Sequence, residues 1–498
     1  MDFSFSAYLY RFNKSNKIKM LTIINTTSRL SKNDSLIFIT ADLKNLDTKY
    51  LTEEEIQHIK RNNKEHKTNR FSFNHFNRWV FVQILEKERK KEQRLENYRV
   101  AGAKLTPAIN EQKIHSAVLL DADNKAEEVL AFAEGLALAN YQFLKYKKDP
   151  AAKLNSLNNI NIFSRDINEN DIDLLNIIID GTCKARDLVN EPVAYLNAVK
   201  LAEEIETMGE KSGAKVEVLN KKKIETLKMG GLLAVNKGSI DPPTFTIIEW
   251  KPKNAVNQKP YVFVGKGVVY DTGGMNIKTA DFMDNMKCDM AGAAAMASAV
   301  YTIAMAKLPV HVIGLIPATD NRLNGNAYVN GDVITMFDGT RVEVINTDAE
   351  GRMILADALS YAKNLDPQLV IDAATLTGSA ARAIGKYGIV GMQAKADNEF
   401  KSLRNSGEET CERIVEFPLW KEYGELIKSE VGDIKNLGGV EGGTITAGKF
   451  LEHFTDYPYI HLDIAGPSFI KSPYNYWQAG GTGIGVRLLF NFINSKLK

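Results

Sequence analysis

The second half of the chain is patterned by short apolar runs that alternate with stretches of helical periodicity. From about residue 260 most of the apolar runs are continuous rather than alternating, which is typical of strands buried on both faces of a sheet. They lie at 261–264, 310–316, 342–345 and 369–371. Their order predicts an α/β fold in which a mixed, largely parallel sheet is covered by helices. Ligands of such sheets bind beyond the carboxyl ends of the strands, so candidate chemistry is expected there.

The first third of the chain has its own alternation of strand-like and helical runs, at 36–40, 117–120 and 125–147. A polar segment over 148–161 follows, and the next helical pattern, over 169–189, ends at an Asn-Glu-Pro break. The polar segment between the two patterned regions predicts a boundary between two domains. The smaller would be an N-terminal α/β domain over residues 1–160, and the larger would be a catalytic domain over residues 161–498.

Composition narrows the class of protein. The 498 residues are 44% hydrophobic and 25% charged, and 63 lysines and arginines nearly balance 61 acidic residues. A near-neutral chain lacks the positive field of nucleic-acid-binding proteins, so nucleic acid is not expected as a partner. The basic run at 87–94 contains Glu88 and Glu92, and it favours a solvated helix face or loop over a nucleic-acid patch.

Targeting and redox signals favour a cytoplasmic protein without a membrane partner. The 3 cysteines lie far apart and cannot form a paired disulfide framework, which suits a reducing compartment. The N-terminus has Asp2 and no long apolar core, so no secretory signal is expected. The apolar stretch over 291–306 is too short to span a bilayer and predicts a buried helix. A polar extension before Met20 leaves the start of translation open between Met1 and Met20.

The common catalytic motifs do not occur in this sequence. None of the 7 histidines stands in an HExxH motif or in a typical zinc spacing, so each is better explained as a surface or core residue. There is also no GxSxG nucleophile elbow and no phosphate-binding Walker loop. Chemistry is therefore expected from other side chains.

A group of lysines and carboxylates remains, and its members stand at predicted strand ends and helix starts. They are Lys266, Asp271, Lys278, Asp289, Asp348 and Glu350. Glycines on both sides of Lys266 would let the backbone approach a ligand closely. Local structure offers a second interpretation, because Thr347 and Glu350 have the spacing of a capping box and single lysines are commonly surface residues. The residues alone leave both this interpretation and an oxygen-ligand metal site open.

At these positions the chain resembles the leucyl aminopeptidase family of metallopeptidases. The signature loop Asn-Thr-Asp-Ala-Glu-Gly-Arg stands at 346–352, and the family's Val-Gly-Lys-Gly segment stands at 264–267. The similarity continues in Asp-Ala-Ala-Thr-Leu-Thr-Gly at 372–378, Gly-Gly-Thr-Ile-Thr-Ala at 442–447 and His-Leu-Asp-Ile-Ala-Gly at 461–466. It covers the chain from about residue 180 to the C-terminus.

The resemblance implies a two-metal aminopeptidase that removes single residues, broadly leucine-like ones, from the N-termini of peptides. It implies two divalent ions per subunit, Mn²⁺ or Zn²⁺, with Mg²⁺ or Co²⁺ as alternatives. The implied metal ligands are Lys266, Asp271, Asp289, Asp348 and Glu350. Family members form hexamers, so a homohexamer is expected.

The resemblance also implies roles for residues around the metals. Lys278 would stabilise the oxyanion as a cation. Arg352 would hold a bicarbonate ion that acts as general base, since an arginine itself stays protonated. The implied substrate contacts are Met286, Asn346, Thr375, Leu376, Thr377, Gly378 and Ala447.

Two other functions compete with the aminopeptidase. A two-metal phosphoesterase would use the same carboxylates but would need neither an amine site nor a neutral lysine ligand. A non-enzymatic protein would instead use its N-terminal third, including 87–94, to bind nucleic acid or another protein.

Overall fold

The computed structural model describes residues 21–123 and 125–497, which fall into two compact units. The first unit runs up to Asp180 and includes Ser472–Gln478, and the second takes the chain from Gly181 onward apart from that segment. The predicted boundary after residue 160 falls within a strand of the first unit. The division into domains over 1–160 and 161–498 stays a prediction. The choice between Met1 and Met20 as start lies outside the described residues.

The first unit is an α/β sheet of six strands in the order β1-β6-β5-β2-β4-β3, parallel except for the edge strand β3. Its strands are β1 (Ile23–Thr26), β2 (Ser35–Thr40), β3 (Arg70–Asn74), β4 (Trp79–Ile84), β5 (Ser116–Asp121) and β6 (Asn159–Phe163). Its helices are α1 (Glu53–His66), α2 (Lys91–Glu111) and α3 (Ala126–Ala139), and α4 (Glu169–Asn190) runs from this unit into the second.

The helix predicted over 125–147 is shorter than expected, because α3 ends at Ala139. The next residue, Asn140, donates from Nδ2 to the Leu157 carbonyl and to Thr22 Oγ1, each at 2.8 Å. These distant contacts turn the chain away from the helix axis. The residues after Ala139 therefore form a loop despite their helical periodicity.

The basic run at 87–94 belongs to a solvated loop and the start of α2, as its composition indicates. Lys91 pairs with Glu127 at 2.6 Å and Arg94 with Glu128 at 2.8 Å, so part of the positive charge is neutralised by α3.

The second unit is built on a nine-stranded mixed sheet in the order β16-β15-β18-β14-β9-β11-β8-β7, with β10 paired to β11. The strands of the unit are β7 (Lys215–Leu219), β8 (Thr244–Trp250), β9 (Tyr261–Gly265), β10 (Gly267–Asp271), β11 (Val312–Asn321), β12 (Val333–Thr335), β13 (Arg341–Glu343), β14 (Leu369–Ala374), β15 (Ile389–Ala394), β16 (Ile414–Glu416), β17 (Ile434–Lys435), β18 (Tyr459–Asp463), β19 (Phe469–Ile470) and β20 (Gly480–Gly481). The helices that follow α4 are α5 (Ala198–Ser212), α6 (Lys221–Thr226), α7 (Gly230–Asn236), α8 (Ala280–Met283), α9 (Ala291–Met305), α10 (Glu350–Ala362), α11 (Gly378–Ile384), α12 (Asp397–Thr410), α13 (Glu422–Glu425), α14 (Gly443–Glu452) and α15 (Val486–Ser495).

Parallel pairing joins β11, β9, β14 and β18 in the middle of this sheet, and every residue of β9, β11 and β14 is buried. The prediction of continuous, doubly covered strands is therefore confirmed. The apolar stretch over 291–306 forms α9, whose residues are almost all buried. The helical stretch Ala280–Met305 has the length and apolarity of a membrane span, but 94% of its apolar window is buried within the protein.

The strand predicted over 342–345 is not part of the main sheet. It is β13, which pairs antiparallel with β12 and parallel with β17 in a separate three-stranded sheet. The strand ends at Glu343, and the Ile345 N–H bonds to the side-chain Oδ1 of Asn436 at 2.8 Å instead of to a neighbouring strand. The acidic loop therefore leaves from this small sheet.

Candidate metal centre

Asp271 is the last residue of β10. Its Oδ1 accepts hydrogen bonds from the Gly273 N–H at 2.9 Å and from Asn321 Nδ2 at 2.8 Å. Gly273 has a φ of 87°, and a Cβ at this position would lie 2.3 Å from the Asn276 carbonyl oxygen. Glycine is required here, because a side chain would displace the turn that holds the carboxylate.

The capping-box interpretation of Thr347 and Glu350 is wrong. The N-cap of α10 is Ala349, and no side chain caps this helix. Thr347 Oγ1 instead donates to the Gly273 carbonyl at 2.7 Å and accepts from the Asn276 N–H at 2.9 Å. The hydroxyl thus binds the loop after β10, and the Glu350 carboxylate is directed elsewhere.

Asp271, Asp348 and Glu350 converge although they lie in two distant segments of the chain. One carboxylate oxygen from each residue lies within 4.8 Å of the others, which is close enough for one or more shared cations. Asp271 and Glu350 are buried, whereas Asp348 is partly exposed.

Lys266 is the single residue between β9 and β10, and it is 3% exposed. Its Nζ lies 2.8 Å from Asp289 Oδ1, 2.8 Å from Glu350 Oε1 and 3.0 Å from the Thr375 carbonyl oxygen. A Cβ on Gly351 would stand 2.4 Å from Lys266 Cε, so the glycine of the acidic loop makes room for this side chain. Burial disfavours the ammonium, but the Asp289 and Glu350 carboxylates outweigh burial and raise the pKa of Lys266.

Lys278 follows in the loop after β10 and contacts the other side of the cluster. Its Nζ lies 2.8 Å from Asp271 Oδ2 and 2.5 Å from Asp348 Oδ1. Burial is again outweighed by facing carboxylates, Asp271 first among them, which raise the pKa of Lys278 above its ordinary value. The Lys278 side chain is 14% exposed, so this lysine borders the open side of the cluster.

The cluster holds more negative charge than its lysines neutralise, since four carboxylates face two ammonium groups. Burial raises the pKa of Asp289 well above its ordinary value, and burial together with the facing carboxylates raises the pKa of Asp348 to about 7. The oxygens Asp289 Oδ2, Asp348 Oδ1 and Glu350 Oε1 form ion pairs with the two lysines, but they accept no well-directed hydrogen bond from any described residue. Buried oxygens with excess charge are the donors that divalent cations prefer, so these residues fit a metal site.

Arg352 follows two residues after Glu350 and is buried in α10. Its Nη1 donates to the Asn436 carbonyl at 2.7 Å, whereas its Nε has no hydrogen-bond partner among the described residues. Burial lowers the pKa of Arg352 to about 10, so the guanidinium stays charged at neutral pH. It therefore carries a buried N–H that could donate to an anion.

Side-chain hydrogen bonds fix three of the predicted substrate residues, and two of these bonds join members of the cluster. Thr375 Oγ1 donates to Asp289 Oδ1 at 2.8 Å, and Asn346 Oδ1 accepts from the Asp348 N–H at 2.7 Å. Thr377 Oγ1 donates to Asp463 Oδ2 at 2.7 Å and caps the first turn of α11.

The other predicted substrate residues are fixed by the elements that carry them. Met286 opens a 3₁₀ turn just before Asp289, Leu376 lies between Thr375 and Thr377, Gly378 begins α11, and Ala447 is fully buried in α14. Contact of any of these residues with a substrate stays a prediction.

Sequence reasoning missed three asparagines that hold the cluster in place. Asn321 binds Asp271, Asn276 binds Thr347, and Asn436 binds both Arg352 and the acidic loop. Asn321 ends β11, so a search for polar residues at strand ends could have found it. Asn276 lies in a loop and gives no such signal.

Comparison with known proteins gives matches along most of the chain. The family model described as "Cytosol aminopeptidase family, catalytic domain" matches residues 183–490, and "Cytosol aminopeptidase family, N-terminal domain" matches residues 88–150. A probable cytosol aminopeptidase of Chlorobaculum parvum is 50% identical over 327 residues, 64% of this chain and 64% of that relative. One of Chlorobium limicola is 44% identical over 377 residues, 73% of this chain and 74% of that relative. The match thus spans less than two thirds of the C. parvum relative.

Two solved structures have a similar fold. The bottromycin maturation enzyme BotP in complex with Mn gives a TM-score of 0.83 at 27% identity, covering 94% of this chain and 100% of that one. A mutant of tomato leucine aminopeptidase gives a TM-score of 0.83 at 25% identity and covers 97% of each chain. The similarity therefore includes both units of the described protein.

Proposed function

The chain belongs to the cytosol aminopeptidase family, and from this premise we propose that it is a metal-dependent aminopeptidase. It releases single residues from the N-termini of peptides, with a broad preference for leucine-like residues. The observation that carries this proposal is the buried cluster of four carboxylates and two lysines, in which three oxygens accept no directed hydrogen bond. Four carboxylates face only two ammonium groups, and buried charge that is not neutralised destabilises a protein, which supports a cationic ligand in this cluster.

Two divalent ions per subunit are the proposed cofactor, held by Lys266, Asp271, Asp289, Asp348 and Glu350. A bound divalent ion supplies Lewis acidity, which polarises a carbonyl group and lowers the pKa of a water molecule. Lys266 must release a proton to act as a ligand. Mn²⁺ or Zn²⁺ is proposed first and Mg²⁺ or Co²⁺ as alternatives, since oxygen-rich sites accept all four. The BotP structure with Mn supports manganese by analogy.

Lys278 is proposed to stabilise the oxyanion that forms as the peptide carbonyl is attacked. Two observations support this role. Its carboxylate neighbours favour the ammonium form, and its side chain is 14% exposed, compared with 3% for Lys266. Lys278 is thus the lysine that a substrate can reach, whereas Lys266 is enclosed as a ligand would be.

Arg352 is proposed to hold a bicarbonate ion, which would accept the proton of the attacking water as general base. The unpartnered Nε and the charge of the buried guanidinium support an anion at this position. Arginine itself cannot be the base.

The substrate's N-terminal side chain is proposed to lie against Met286, the segment Thr375–Gly378 and Ala447, with Asn346 at the edge of the acidic loop. Apolar pockets discriminate by only about 1–3 kcal/mol per methylene group, which supports a broad preference. A cytoplasmic location and a homohexamer are proposed from family membership, and equilibrium sedimentation of the purified protein tests the assembly.

Hydrolysis of leucine p-nitroanilide tests the proposed function directly. The purified protein with Mn²⁺ should release p-nitroaniline, and EDTA should stop the reaction. N-acetyl-leucine p-nitroanilide is the matched control and should not react, because it lacks the free amine. Release from p-nitrophenyl phosphate, with no reaction at any aminoacyl substrate, would instead identify a phosphoesterase.

A further inference from the structure

The loop that carries Lys278 has no apolar anchor of its own. We call residues 272–278, which follow β10, the lysine loop. Its larger apolar side chains point outward, since Met275 is 48% and Ile277 is 57% exposed. Packing against a core therefore does not determine where this loop, and with it the Lys278 ammonium, lies.

Polar contacts hold the lysine loop instead. Its first residue, Thr272, donates from N–H and Oγ1 to the Asn321 carbonyl at 2.9 and 2.8 Å, and its middle is bonded to one residue of the acidic loop. The Asn276 N–H donates to Thr347 Oγ1 at 2.9 Å, and the Thr347 N–H donates back to Asn276 Oδ1 at 2.8 Å. Thr347 Oγ1 also donates to the Gly273 carbonyl at 2.7 Å. The two residues thus exchange hydrogen bonds in both directions, and a third bond fixes the turn beside them.

Thr347 is itself held firmly. It is completely buried, and its carbonyl oxygen accepts hydrogen bonds from Tyr328 Oη at 2.8 Å and Asn321 Nδ2 at 3.0 Å. Asp348, which contacts the Lys278 ammonium, is the next residue along the chain. The bonds from Thr347 therefore connect the loop of the lysine directly to the loop of its carboxylate partner.

We propose that Asn276 and Thr347 are positioning residues whose reciprocal hydrogen bonds, here called the loop clamp, hold Lys278 at the place where it stabilises the oxyanion. This inference rests on the proposed aminopeptidase activity. A displacement of about 1 Å in a catalytic group can lower a rate about 10²-fold, so a clamp of uncharged groups can have a large kinetic effect. Neither residue touches the substrate in this proposal.

The first test replaces each member of the clamp. Thr347→Val keeps the shape of the side chain and removes the hydroxyl, and Asn276→Ala removes the acceptor on the partly exposed loop. Each should lower kcat for leucine p-nitroanilide about 10–100-fold with KM and bound Mn²⁺ nearly unchanged. Thr347→Ser, which restores the hydroxyl, should recover most of the loss.

Two double variants test whether the clamp acts as a unit and through Lys278. Thr347→Val combined with Asn276→Ala should be no slower than the slower single variant, because both remove the same contact. In a Lys278→Ala background, either clamp variant should cause no further loss of kcat.

Thr244→Val is the matched control. Thr244 is 5% exposed and its hydroxyl donates to the Ala198 carbonyl at 3.1 Å, at the start of β8. Its loss should lower the melting temperature without changing kcat. If Thr347→Val fails to fold, Asn276→Ala alone decides the question.

Three results would overturn the loop clamp. They are an unchanged kcat in Asn276→Ala, a full additional loss in the Lys278→Ala background, and a fall in kcat that follows a loss of bound Mn²⁺. An inactive wild type would refute the proposed function and the clamp with it. An active wild type with unaffected clamp variants would refute the clamp alone.

Discussion

Two clusters of buried charged side chains, one in each unit, differ in how their charges are satisfied. In the first unit Arg99 Nε donates to Glu134 Oε2 at 2.6 Å and its Nη1 lies 3.3 Å from Glu96 Oε2. Tyr476 also donates to Glu96. The side chains come from α2, α3 and the segment Ser472–Gln478, so this cluster ties together parts of its own unit.

The cluster in the second unit lacks such directed hydrogen bonds at three of its carboxylate oxygens. Asp289 Oδ2, Asp348 Oδ1 and Glu350 Oε1 form ion pairs with lysines, but they accept no directed hydrogen bond from the described residues. Burial of charge therefore does not by itself identify a functional site. What distinguishes the two clusters is whether directed hydrogen bonds satisfy the buried oxygens.

The strongest test of this comparison is Glu350→Ala. The change removes a carboxylate that contacts Lys266 and one of the three converging oxygen donors. Metal ions contribute several kcal/mol to such reactions, so kcat/KM for leucine p-nitroanilide should fall at least about 10³-fold, with less bound Mn²⁺ by elemental analysis.

Glu425→Ala is the control for this substitution, because Glu425 pairs with Lys428 at the surface of the same unit. It should retain the activity of the wild type. More than a tenth of the activity remaining in Glu350→Ala would contradict the metal-site interpretation.

A substitution in the cluster of the first unit should lower the free energy of unfolding and leave the catalytic rate unchanged. Arg99→Met removes the cation that contacts the Glu96 and Glu134 carboxylates, and breaking a buried ion pair in this way typically destabilises a protein by about 3–5 kcal/mol. Urea unfolding should record this loss, while kcat per folded molecule stays the same. The additional change Glu134→Gln should restore part of the stability. A loss below about 1 kcal/mol would show that this cluster does not depend on its ion pairs.

Another buried carboxylate, Asp357 of α10, sharpens the comparison, because it accepts hydrogen bonds from backbone groups rather than from cations. It accepts from the Leu232 and Phe337 N–H groups, each at 2.9 Å, while burial raises its pKa to about 7. The folded state therefore binds more protons than the unfolded state between about pH 4 and 7, and the stabilisation that protonated Asp357 provides is lost as pH rises through this range.

Asp357→Asn removes the titrating group and so measures this effect. The unfolding free energy of the wild type relative to Asp357→Asn should fall between pH 4 and 7 by up to about 4 kcal/mol, at about 1.36 kcal/mol per pKa unit. Urea unfolding of both proteins across this range provides the measurement. A difference that does not vary with pH would mean that the carboxylate is ionised throughout.

Among the substitutions of this comparison, Lys278→Ala is expected to have the smallest effect. Loss of a single oxyanion-stabilising donor lowers kcat about 10²-fold, equivalent to about 2.7 kcal/mol. Bound Mn²⁺ should remain, because Lys278 contacts the carboxylates from the open side and is not a proposed ligand. Loss of bound metal instead would assign Lys278 to the metal site and not to the oxyanion.

Several features of the fold could be predicted from the order of residues. The continuous apolar runs predicted β9, β11 and β14 as buried strands, and the small apolar residues over 291–306 predicted α9. These predictions succeeded because a strand buried on both faces needs apolar residues at successive positions, and such a run is visible in the sequence. The candidate ligands could be named because their motifs resemble a known family, and chemistry alone left a capping box as a competing explanation.

Two predictions from local sequence patterns were wrong, and in both places hydrogen bonds between distant residues determine the structure. Residues after Ala139 keep a helical pattern, yet Asn140 binds Leu157 and Thr22 and ends the helix. The run over 342–345, which is apolar except for Glu343, was predicted as a strand of the main sheet, yet its strand β13 pairs in a small separate sheet. In both cases the local preference is weak compared with the tertiary hydrogen bonds that replace it.

Sequence by itself determined which segments are buried, which residue types are available for chemistry and where glycine permits close approach. Tertiary structure alone decided which of these residues meet. Thr347 could have capped α10, but its hydroxyl bonds to Gly273 and Asn276, 74 and 71 residues away. Lys266 meets Glu350 only because β9 and α10 pack together. A helix cap depends on neighbours within one turn, whereas a buried charge cluster depends on the packing of a whole unit, which no local pattern records.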